Sequence, residues 1–117
     1  MTTTQTPQAF MFIGDTLTFS QTYTNGASPP AAINLTGYTI TILIRDAADL
    51  TTLATLTIGS GITLADQSIQ SNWGIFTARY ANTSTWAGNV QVQYQFVDTL
   101  GNITTYPVVV IGMQAAL

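Results

Sequence analysis

Val90-Gln91-Val92-Gln93-Tyr94-Gln95-Phe96 places an apolar or aromatic residue at every second position and a glutamine at each position between. A period of two puts all four large side chains on one face of an extended chain and all three glutamines on the other, the pattern of a strand with one dry side. The same alternation recurs in Tyr38, Ile40, Ile42 and Ile44, and again from Leu17 to Thr24, where Leu17, Phe19 and Tyr23 alternate with threonine and serine. Of the 117 residues, 22 are threonine, a β-branched type that suits a pleated surface and loses rotamer freedom in a helix.

Outward from these three segments the chain continues in short extended pieces. Trp73 to Tyr80 and Ile103 to Ile111 are apolar on both faces, as strands covered on two sides are. In the second, Ile103, Val109 and Ile111 fall on one side and Tyr106, Val108 and Val110 on the other. Phe10 to Ile13, Leu53 to Ile58 and Ile62 to Leu64 are shorter strand candidates. Asn25-Gly26, Thr36-Gly37, Gly59-Ser60-Gly61, Ala87-Gly88-Asn89 and the Asp98 to Asn102 loop supply turns between them. Only Asp46 to Thr51 and Asn82 to Ala87 could be helical, and neither reaches three turns. Seven or eight short antiparallel strands punctuated about every ten residues predict an all-β fold, the pattern of an immunoglobulin-like β-sandwich or of a small barrel, and the single sandwich is the expected form. The expected organisation is one domain over residues 1–117, with a polar N-terminal arm to about residue 9 and a C-terminal tail from about residue 113.

The chemical inventory is narrow. The chain has no histidine, cysteine, lysine or glutamate, and its ionic groups are Arg45 and Arg79 against Asp15, Asp46, Asp49, Asp66 and Asp98. A serine or threonine nucleophile would have only aspartate as base, and each aspartate lies beside glycine or in a turn, where its carboxylate serves local amides. The expectation is a non-enzymatic protein with no catalytic residue, no cofactor and no metal, since imidazole and thiolate are missing and Asp46-Ala47-Ala48-Asp49 lacks the ligand alternation of a calcium loop. Two arginines in a chain of net charge −3 cannot neutralise a phosphate backbone, so nucleic acid is not an expected partner. Met1 to Ala9 lacks the positive start and apolar run of a secretory signal, and the longest apolar run, Val108 to Met113, is far short of the roughly 20 residues that cross a bilayer as a helix. No membrane partner is expected.

Charged residues make up 6% of the chain, against about 25% in ordinary soluble domains. Sheet edges are normally kept from pairing with other chains by lysine and other charges. Threonine, serine and glutamine wet a surface without repelling a second copy. The composition therefore predicts a surface held permanently by protein partners, copies of the chain among them. Phe10, Met11 and Phe12 near the start and Val108, Val110 and Met113 near the end are the expected contact residues. A glycan-binding module is the alternative, with Trp86, in a turn, as the ring that stacks on a sugar; Trp73, Tyr80, Tyr94 and Tyr106 are further aromatic candidates.

Read in order, Ile13-Gly14-Asp15-Thr16-Leu17-Thr18-Phe19, Asn34-Leu35-Thr36-Gly37-Tyr38-Thr39, Ile44-Arg45, Gly74-Ile75-Phe76, Thr85-Trp86-Ala87-Gly88 and Asp98 with Gly101 resemble a family of small tailed-phage and prophage proteins. The resemblance covers about 100 residues and rests on order and spacing. The chain departs from the family pattern at Asn34, where aspartate is common, and at Asn89, where an aromatic is. The N-terminal sandwich domain of phage upper-baseplate proteins is similar in outline. This kinship implies a virion structural protein, assembled in the bacterial host cytoplasm. It would sit at the tail, neck, baseplate or fibre attachment, or decorate the capsid, in contact with other virion proteins.

Overall fold

The computed structural model describes residues 9–115 and is all-β. Nine strands follow in chain order: β1 (Ala9–Phe12), β2 (Leu17–Thr22), β3 (Thr39–Asp46), β4 (Thr52–Ile58), β5 (Gly61–Leu64), β6 (Ile75–Tyr80), β7 (Asn89–Val97), β8 (Ile103–Thr105) and β9 (Val109–Gln114). They form one curled sheet in the order β1-β9-β7-β3-β4-β5-β6-β2, with β8 pairing β7 beside β9. The pairing is mixed rather than wholly antiparallel. β1 runs parallel to β9 from Ala9↔Ile111 to Phe12↔Gln114, and β4 meets β5 in parallel over Thr57↔Gly61 and Ile58↔Ile62.

The β3–β7 ladder is the spine. Eight residue pairs from Thr39↔Val97 to Asp46↔Val90 bring Ile40, Ile42 and Ile44 beside Phe96, Tyr94 and Val92. All three isoleucines are fully buried, each side chain contributing about 1.5–3 kcal/mol by leaving water. Phe19 of β2 and Phe76 of β6 stand far from β7 in the strand order, yet Phe19 meets Tyr94 at 5.7 Å and Phe76 meets Phe96 at 5.7 Å between ring centroids. The sheet must therefore bend back over itself, and Leu56, Ile62, Ala78, Leu35 and Trp86 fill the enclosed space.

Two loops are fastened by single buried polar side chains. Gln67 accepts from the amides of Leu35 and Gly74 through Oε1 and donates through Nε2 to the carbonyls of Ala65 and Asn72. Thr83 accepts from Gly14 N and donates to Asp15 O, tying the β1–β2 turn to the loop before β7. Gly74 sits at φ +79° with its Cα against the backbone of Tyr23, so a Cβ there would be both strained and obstructed.

Several expected elements change. The run from Ile103 to Ile111 breaks into β8 and β9 around Pro107, which has no N–H to give a ladder, and the register against β7 slips by one residue between the two pieces. Trp73 precedes β6 instead of opening it, because its indole N–H donates to Gln67 O and a single 3-10 turn, Gln70–Asn72, leads into it. Asp46 to Thr51 and Asn82 to Ala87 are turns, not helices; Asp46 and Asp49 hold the first through bonds to the amides of Ala48 and Thr51. Of the expected N-terminal arm, residues 1–8 lie outside the described residues and Ala9 begins β1. In the expected tail, Met113 and Gln114 belong to β9, and residues 116–117 lie outside the description.

Candidate assembly surface

The six residues expected to make contacts all gather on β1, β9 and the residue before β9, and they divide between two faces. Ala9 and Met11 pair with Ile111 and Met113, on the side that faces the core, where Met11 and Met113 are half-buried against it. Phe10 and Phe12 point the other way, 63% and 46% exposed. Val110 shares that outer face with them but is itself buried, opposite Gln91 of β7, and Val108 is half-buried. Four of the six are thus partly or wholly engaged within the chain, and two phenylalanines remain presented on the strand that ends the sheet.

At the other end of the sheet order stands β2. It pairs with β6 on one side, and among the described residues no strand pairs with its other side. Thr18, Ser20, Gln21 and Thr22 are exposed, and the strand carries neither charge nor proline. Among the described residues both ends of the sheet therefore lack the devices that stop edge-to-edge pairing. A second exposed apolar pair, Leu100 at 87% and Ile103 at 64%, caps the β7–β8 hairpin. The sequence marks this loop by its turn residues, but nothing in the local pattern distinguishes an exposed leucine there from one folded inward.

The carboxylates of Asp46, Asp49, Asp66 and Asp98 are absorbed by turns. Asp98 Oδ1 accepts from the amides of Leu100 and Asn102, and Oδ2 from Asn102 Nδ2, all at 2.9 Å. Asp66 accepts from the Ser68 hydroxyl and amide. These bonds favour the ionised form: the Asn102 side chain first of all holds Asp98 below the usual carboxylate range, the Ser68 hydroxyl does so for Asp66, and the Thr51 amide for Asp49. Among the described residues no three acidic, histidine or cysteine side chains gather as metal ligands would. Arg45 lies on the outer face between Gln91 and Thr52, its Nε enclosed without a hydrogen-bond partner.

Trp86, the expected sugar-stacking ring, is 2% exposed and lies flat on Tyr80, centroids 5.3 Å apart and planes within 10°. That is a correction: turn position suggested an open ring, but the turn folds inward and the indole completes the core. Tyr94 is likewise buried, and burial pushes its hydroxyl up to about 12. Tyr106, 38% exposed, keeps a surface. No helix among the described residues is long and apolar enough to cross a membrane. Comparison with protein-family models, curated proteins and solved structures finds no match to this chain.

Proposed function

We propose that this chain is a non-enzymatic structural module of a tailed-phage particle, working through permanent contacts with other virion proteins and with copies of itself in a symmetric oligomer. The observation that carries the reading is the pair of unguarded sheet ends: Phe10 and Phe12 presented on β1, and the uncharged open edge of β2. In a free protein such ends invite pairing with any exposed strand; in a particle they are covered once and stay covered. The resemblance of the ordered turn motifs to small tailed-phage proteins supports the same setting, at the tail, neck, baseplate, fibre attachment or capsid surface.

The curled sheet is read here as a two-layer, immunoglobulin-like sandwich, β1-β9-β7-β3-β4 over β5-β6-β2. The ring contacts of Phe19 and Phe76 across to β7 support it. Such a module needs no catalytic group, and its partners are proteins rather than nucleic acid or membrane. Electron cryomicroscopy of particles that co-purify with the tagged chain tests the proposal. The expected result is density for several symmetry-related copies with β1 or β2 against a neighbour; a chain found only outside particles contradicts it.

A further inference from the structure

A cleft of about 800 Å³ opens between β2 with its following loop and the Thr104–Val109 segment. Its size falls within the range of ligand sites, and its lining is aromatic below and amide or hydroxyl at the rim. No aspartate or arginine contributes to it. A charged ligand would lose part of its hydration there without gaining a counter-charge, which favours a neutral occupant.

Polar groups in the cleft hold unspent hydrogen-bonding capacity. The Tyr94 hydroxyl accepts from Gln21 Nε2 at 3.2 Å, while among the described residues its own proton has no acceptor. Gln21 Oε1 accepts from no group among the described residues. Asn25 Oδ1 is taken by the amides of Ala27 and Ala31, which fixes the side chain and leaves Nδ2 to donate. Together these groups give two donors and an acceptor on positioned side chains. A purely apolar ligand would leave them unsatisfied.

Beside them Tyr106 is held ready. Its amide donates to Tyr94 O at 3.0 Å, and its ring stands perpendicular to Tyr23 and Phe96 at 6.0 and 5.7 Å. A ring that is immobilised before binding loses little further freedom on contact. Neutral charge, an exposed aromatic and fixed amide and hydroxyl groups match a pyranose, which has an apolar C–H face and a belt of hydroxyls. We infer that this cleft binds a neutral oligosaccharide, with Tyr106 against the sugar face and Gln21, Asn25 and Tyr94 on its hydroxyls. The inference stands apart from the assembly reading, since a bound sugar neither requires nor prevents an oligomer.

The test is an NMR titration of the labelled chain with neutral malto-, cello-, chito- and galacto-oligosaccharides, alongside sialylated and sulfated ones. At least one neutral series should shift the side-chain amides of Gln21 and Asn25 and the backbone amides of residues 104–109, saturating below about 10 mM. Tyr106→Ala should weaken that binding about tenfold or more, and Gln21→Ala, at an exposed strand position, should weaken it with an unchanged folded spectrum. The inference is overturned if no neutral series shifts these signals, if an acidic saccharide binds more tightly, or if Gln21→Ala binds as the parent does.

Discussion

The β3–β7 ladder and the β1–β9 ladder are neighbours in one sheet, and they are built for opposite ends. In the first, eight register pairs bury three isoleucines completely against Val92, Tyr94 and Phe96. In the second, four pairs place Met11 and Met113 on the core but leave Phe10 and Phe12 largely in solvent. The difference teaches where apolar area stabilises the single chain and where it is left in solvent. Area already removed from water contributes to folding; area left exposed can contribute only when another molecule covers it.

Substitution should separate the two ladders sharply. Ile42→Ala, in the middle of the buried row, should cost about 2–5 kcal/mol by lost transfer energy and a cavity, read as a fall in the denaturant midpoint. Removing the side chain of Gln67 comes next: Gln67→Ala strands the buried amides of Leu35 and Gly74, at about 1–3 kcal/mol, and should speed hydrogen exchange at both. Phe10→Ser with Phe12→Ser should change the stability of the isolated chain by less than about 0.5 kcal/mol each while reducing self-association. A loss of stability there as large as at Ile42 would erase the contrast.

The smallest effect concerns the hairpin that extends the central ladder. Asp49, Asp66 and Asp98 have folded pKa values lowered by local hydrogen bonds, so their contribution is present above the ordinary carboxylate pKa of about 4 and is lost as pH falls through the lowered folded value. The unfolding midpoint should therefore decline on acidification below about pH 4, and Asp98→Asn should flatten part of that decline. Stability that rises on acidification through this window would contradict the assignment.

How much of this was legible follows the same division. β2, β3 and β7 could be read directly because one dry face imposes period two on the residues themselves. The parallel pairing of β1 with β9 could not, since Ala9 and Ile111 are joined by no local signal and only the closed fold brings them together. Pro107 marks the break between β8 and β9, but the apolar residues on both faces of Ile103 to Ile111 read as one continuous strand. At the candidate sites, composition identified a surface short of charge, and the residues expected to make contacts fall on β1, β9 and the residue before β9. It did not tell Phe10 from Met11, because sidedness on an end strand depends on what lies beneath it. Trp86 was misplaced for a related reason: a turn residue can point inward, and only the Tyr80 ring opposite shows that this one does.

The claim that the exposed ends of the sheet exist to be covered is tested most directly by sedimentation equilibrium of the purified chain over a wide concentration range, parent beside the Phe10→Ser, Phe12→Ser double variant. The account predicts that the parent forms a discrete oligomer which the variant loses while keeping its fold. A parent chain that remains monomeric at the highest concentration, with no apolar surface detected by dye binding, would contradict it.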